Sequence, residues 1–128
     1  MDIDALFDEF TSSNLPDGWI GWVQHEQLAI PTAKRTKVRP WCRGRSQVGQ
    51  VEWFPRTTKP PWEGDRYAVQ SPPDESLGLS SSGWFVVNAY VRKRATFDPK
   101  GEDRGVVDDA LLQALYKRLE NFYWDQTG

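Results

Sequence analysis

Between Trp84 and Phe97 apolar and polar residues alternate in the way of a strand, where successive side chains point to opposite faces. Phe85, Val87, Ala89, Val91, Ala95 and Phe97 share one face, interrupted by Lys93, and Trp84, Val86, Asn88, Tyr90, Arg92, Arg94 and Thr96 share the other. After the charged loop DPKGEDRG the spacing becomes helical, with Val107, Leu111, Leu115, Leu119 and Phe122 on one stripe and Asp108 and Asp109 in the first turn, where the helix dipole favours negative charge. The pattern predicts one long strand and one amphipathic helix packed on a sheet, with Leu115 and Phe122 buried against Phe85, Val87 and Val91.

The remaining elements are shorter. Ile3, Leu6, Phe7 and Phe10 line one face of a helix predicted over residues 3–11, capped by Asp2 or Asp4. Leu15-Pro16-Asp17-Gly18 is a turn signal leading into a strand from Trp19 to Gln24. Two strands are predicted at about Lys37–Arg43 and Ser46–Phe54, turning at Gly44, with Pro40 forcing an edge position or a bulge on the first. Arg56 to Gly64 reads as an extended loop, Asp65–Gln70 as a short strand and Ser71–Gly83 as a loop. The expected fold is α+β: an N-terminal helix, four or five mostly antiparallel strands and a C-terminal helix. At 128 residues it is expected to form a single domain, 1–128.

Composition changes the picture in two ways. Seven Trp offset a hydrophobic fraction of only 38%, so a packed core is expected rather than disorder. The net charge of −2 also hides a segregation. Nine basic residues stand against three acidic ones between Lys34 and Arg66, a surplus of six, while residues 1–33 hold no Lys or Arg. An acidic head and a basic middle suit pairing with copies of the chain or with an anionic partner. No apolar run reaches the ~18 residues of a membrane span and no signal peptide is evident, so neither a membrane span nor a leader is expected.

The usual chemistries are missing. His25 has no partners for a triad, and one His with one Cys leaves a zinc site short of its usual ligands. No phosphate loop or dinucleotide fingerprint occurs. Asp98, Glu102, Asp103, Asp108 and Asp109 lack the alternate spacing of a calcium loop and read as a solvated approach to the helix. No catalytic residue, cofactor or metal is expected, and the chain reads as a non-enzymatic protein.

What remains is a binding surface. Arg39, Arg43, Arg45 and Arg56 interleave with Trp41, Trp53 and Trp62, and Tyr90, Arg92 and Arg94 add a strand face. Such a set can neutralise phosphates and stack bases. The same residue types dominate protein–protein hot spots, and the tryptophans equally serve as core.

The run SGWFVVNAYVRKRATFDPKGEDRGVVDDALLQALYKRLENF resembles the end of small tail-terminator and neck proteins of tailed phages, matching at Gly83, Val87, Val91, Gly105, Asp109, Ala110, Leu115 and Phe122. The resemblance covers about a third of the chain. It implies a structural subunit of a homo-oligomeric ring, commonly a hexamer, contacting tail-tube or connector proteins during virion assembly, and with it a location in a virion or a host cytoplasm. A single-stranded nucleic-acid-binding module built on residues 34–66 is the second reading, and a small inhibitor of a host or defence protein the third. On the ring reading, reversing Arg43 and Arg45 to Glu blocks assembly and leaves the monomer folded.

Overall fold

The computed structural model describes residues 15–24, 38–59, 66–97, 99 and 102–127. The elements are β1 (Trp19–Gln24), β2 (Val38–Gln47), β3 (Gln50–Thr57), β4 (Ala68–Ser71), β5 (Gly83–Val86), β6 (Val91–Arg94), β7 (Glu102–Val106) and the helix α1 (Asp109–Thr127). All seven strands join one antiparallel sheet in the order β4-β5-β3-β2-β1-β7, with β6 also paired to β3. The α+β class, the antiparallel sheet and the C-terminal helix are as expected. The strand count is higher, and the helix expected over 3–11 lies outside the described residues.

Both faces of the central strands are covered. Alternation sends Trp19, Val23, Trp41, Val51 and Trp53 to one core, joined by Val91, Ala95 and Phe97. It sends Ile20, Cys42 and Phe54 to the other, where Phe85, Val87, Leu112, Leu115 and Leu119 meet them under α1. Every β3 residue from Val51 to Arg56 is therefore buried. Leu115 packs with Phe85 and Val87 as expected and Phe122 is half-buried beside them, but Val91 belongs to the opposite core.

That difference follows from a break in the strand predicted over 84–97. β5 pairs with Arg56 and Thr57 of β3, whereas β6 pairs with Gln50 to Trp53, and a 3-10 turn at Val87–Ala89 separates them. The interruption falls opposite Phe54 and Pro55, and Pro55 has no amide hydrogen for a ladder. The Val87 amide instead donates to the Tyr67 carbonyl at 2.8 Å.

The β2–β3 hairpin turns at Val48-Gly49, not at Gly44. Both turn residues have positive φ (50° and 75°), the two-residue turn whose twist matches the flanking strands. Gly49 adopts this freely, whereas β-branched Val48 does so against its preference and stands fully exposed. Gly44 lies inside β2, where a Cβ would come 2.8 Å from the Phe54 ring. Pro40 is tolerated because only β1 pairs with it, opposite Trp22, and the β3 ladder begins one residue later at Trp41.

Two further segments that read as loop in the sequence form strand. Arg56 and Thr57 extend β3, and β7 lies in the charged stretch, pairing with β1 and fixed by a 2.8 Å bond from Trp19 Nε1 to Asp103 Oδ1. β7 has a single neighbour in the sheet, so a polar sequence carries no burial penalty there.

Arg56 knits the β4–β5 side together. Its Nε donates to Ser71 Oγ at 3.1 Å, and its Nη2 to the carbonyls of Ser71 at 3.3 Å and Ser81 at 2.6 Å. Burial holds its pKa below the usual guanidinium value. The close approach needs Gly83, where a Cβ would sit 2.7 Å from both Arg56 Cζ and the Thr57 carbonyl oxygen. Gly83→Ala is expected to cost about 1–3 kcal/mol, as overpacking does. An unchanged thermal midpoint would show that this clamp is looser than its geometry.

Candidate nucleic-acid interface

The sheet divides the ten predicted binding residues. Trp41 and Trp53 fill the core shared with Trp19, Val23 and Val51 and offer no face to a ligand at the surface. Arg43, 2% exposed, forms an ion pair with Asp17 and donates to the Gly44 carbonyl at 2.9 Å. Arg56 is the buried clamp. These four are structural, because alternation on a sheet covered on both faces buries whatever stands there. Trp62 lies outside the described residues. Arg39, Arg45, Tyr90, Arg92 and Arg94 remain, and the structure adds Glu52, Tyr116, Tyr123 and Lys117.

Most of this set gathers at the turn end of the hairpin. Glu52, on the α1 side of β3, is 2% exposed. Its Oε1 accepts from the amide and the Nε of Arg45, both at 3.3 Å, and its Oε2 accepts from Tyr123 Oη at 3.3 Å. Arg92 faces Glu52 in the β3–β6 register and donates to the Tyr123 hydroxyl, which stands 3.1 Å from Tyr90 Oη. The Arg45 guanidinium lies 5.0 Å from the Tyr116 ring centre, and that of Arg92 lies 5.5 Å from both Tyr90 and Tyr123. Tyr116 Oη donates to Asp17 at 2.9 Å, which ties α1 to the partner of Arg43. Burial first, then hydrogen bonding to Tyr90, pushes the Tyr123 pKa up to about 12 despite the opposing pull of Arg92. Burial and Asp17 raise Tyr116 as well. Both phenols therefore stay protonated at neutral pH.

Arg39 stands apart, at the opposite end of β2. It pairs with Val23 of β1, and continuing the Trp41–Pro55 register by two places sets it level with Thr57. Its Nε is buried without a hydrogen-bond partner among the described residues. A buried unmet donor costs about 1–3 kcal/mol, so a ligand acceptor at this position is a natural explanation. Thr57 Oγ1 accepts from the Lys59 amide at 3.1 Å, so its own hydroxyl proton is not spent in that bond. Among the described residues no cluster of three His, Cys, Asp or Glu side chains could hold a metal ion, and no helix is long and apolar enough to cross a membrane.

No family model and no curated protein matches the sequence. The structure does match known folds. A crystal structure of MazF from Deinococcus radiodurans superimposes with a TM-score of 0.61, covering 85% of this chain and 96% of that one at 17% identity. At that identity the likeness is one of fold.

It overturns the phage reading. The matched structure is a MazF and not a tail terminator, and the long strand that carried the resemblance is broken at Val87–Ala89. The expectations of a structural ring subunit, of virion assembly and a virion location, of tail-tube or connector partners, and of a chain without enzymatic activity lose their basis together.

Proposed function

We propose that this protein binds single-stranded RNA and cleaves it, as a ribonuclease of the MazF type, with Arg39 at the reacting phosphate. The observation that carries this reading is the buried Nε of Arg39, which has no hydrogen-bond partner among the described residues, in a fold matched along 96% of a MazF chain. Cleavage of RNA by its own 2′-oxygen forms a bond from that oxygen to phosphorus and breaks the bond to the 5′-oxygen. The proton lost by the 2′-hydroxyl is balanced by one gained by the leaving 5′-oxygen. Negative charge grows on the non-bridging oxygens in the transition state, and a fixed guanidinium donor stabilises that charge more than it does the ground state. Arg suits the position because its planar fork of donors matches phosphate. Thr57, level with Arg39, supplies a hydroxyl donor for the same oxygens. Self-association is retained in this reading as a homodimer, the form MazF-like proteins take.

Incubation of the protein with a labelled 20-nucleotide RNA and its DNA counterpart tests the reading. Cutting of the RNA alone is expected, ending in a cyclic phosphate. Arg39→Ala should reduce the rate about 10²–10³-fold, the range for loss of one transition-state donor. An Arg39→Ala protein that cuts at the wild-type rate would remove Arg39 from the reaction. Intact RNA after prolonged incubation, together with no binding, would refute the function.

A further inference from the structure

Building on the RNA-cleaving function, we propose that the groove between the turn end of β2 and α1 is a second seat for RNA. It would hold the phosphodiester backbone of a longer strand through Arg45, Arg92, Arg94 and Lys117. The groove encloses about 690 Å³ and has Arg45 and Gln47 on its sheet side and Tyr116 and Lys117 on its helix side. Arg92 and Arg94 extend it across β6, where Arg92 faces Glu52 and Arg94 faces Gln50. Residues two apart on a strand share a face, so these two arginines project together.

The donors are largely unspent. Among the described residues Arg45 uses only its Nε and its amide, both on Glu52, and its side chain is 36% exposed. Arg94 and Lys117 are exposed and form no ion pair among the described residues. The carboxylates of Glu52 and Glu120 stand against these four cations, leaving a surplus of positive charge. Glu52 also organises the site. It holds Arg45 over Tyr116 and, through the Tyr123 hydroxyl, braces Arg92, so less side-chain freedom remains to be given up when an anion arrives.

The aromatic rings favour backbone binding over base reading. Guanidinium groups already lie near the rings of Tyr116, Tyr90 and Tyr123, and the hydroxyls of Tyr116 and Tyr123 stay neutral. The seat should therefore accept RNA with little sequence preference. From Arg39 to Arg45 the chain advances six residues along β2, roughly 20 Å. An oligonucleotide short enough to occupy Arg39 alone leaves the groove empty, and a long one can reach both.

The test uses 2′-O-methyl RNA, which lacks the attacking hydroxyl, as a 3-mer and as a 24-mer. Anisotropy titrations at two salt concentrations compare wild type with Arg94→Glu/Lys117→Glu, two exposed positions where reversal is expected to leave the thermal midpoint unchanged. The 24-mer should bind the double variant at least tenfold more weakly. Its salt slope should fall by about 1.4, near 0.7 for each single-strand phosphate no longer neutralised. The 3-mer affinity and the cutting of an unmodified 3-mer should not change. Arg94→Lys should behave as wild type, because pairing with a single phosphate needs only the charge. Equal 24-mer binding and slope in wild type and double variant would overturn the groove as an RNA seat while the cleavage function stands. If instead poly-glutamate binding is abolished in the double variant and 24-mer binding is not, the surface belongs to an acidic protein partner. Failure of wild type to bind or cut RNA of either length would sink both proposals.

Discussion

Leu115→Ala is expected to destabilise the protein by about 2–5 kcal/mol, the range for emptying a fully buried leucine site. Leu115 is completely buried at the middle of α1. With Leu112 and Leu119 it fills the space over Ile20, Phe54, Phe85 and Val87. The helix and sheet backbones at this site are held by their own hydrogen bonds, so collapse around the missing methyl groups is limited and the upper half of the range is favoured. Urea denaturation reads the change directly, with a lower midpoint and an unchanged slope. A midpoint within a few tenths of molar of wild type would mean that α1 is not packed on the sheet through Leu115. Leu111→Ala is the internal comparison, since Leu111 is only partly buried and should cost less.

Arg43→Glu should be nearly as damaging, and for an electrostatic reason. The Arg43 guanidinium is buried, held by Asp17 and by the Gly44 carbonyl, while its backbone carbonyl accepts from the Gly18 amide at 2.7 Å. Reversal places a second carboxylate beside Asp17 and removes the cation from both. Removing one partner of a buried pair costs about 3–5 kcal/mol. The Asp17 side chain is 48% exposed, which moves the expectation to the lower end of that range. The Arg43/Arg45 double reversal is therefore not expected to leave a folded monomer, contrary to the reading of both as surface charges. Arg45→Glu alone should be milder, because Arg45 is more exposed. Thermal unfolding of the two single variants separates the positions, and equal midpoints would show that Arg43 behaves as a surface charge.

The candidate binding residues were legible in the sequence as a composition and illegible as a site. Arg43 and Arg45 are two residues apart and look alike, yet one is a core ion pair and the other leads into the α1 groove. The register shift between Arg43 and Ser46 changes how this part of β2 meets β3 and cannot be read from one strand. Glu52 shows no signal at all, being a lone acid inside an apolar strand. Its role appears only when β2, β6 and the last turns of α1 bring Arg45, Arg92 and Tyr123 to it. Arg39 is one of nine basic residues between Lys34 and Arg66 in the sequence, and what marks it among them in the fold is a buried donor with no acceptor among the described residues, which is a property of the folded environment.

By itself the sequence determined the elements with strong periodicity: the C-terminal helix through Leu111, Leu115, Leu119 and Phe122 (though it placed Val107 and Asp108 inside a helix that begins at Asp109), the strand from Trp19, and the α+β class with its antiparallel sheet. Those patterns are local, since the side chains of one face repeat at a fixed spacing wherever the partner surface lies. Only the tertiary structure decided where the strand from Gly83 breaks, because the interruption is opposite Pro55 on a neighbouring strand. It alone showed β7, whose polar residues form a strand because β1 offers its edge. It also placed Trp41 and Trp53 inside, because the sheet is covered on both faces and each face buries whichever residues alternate toward it.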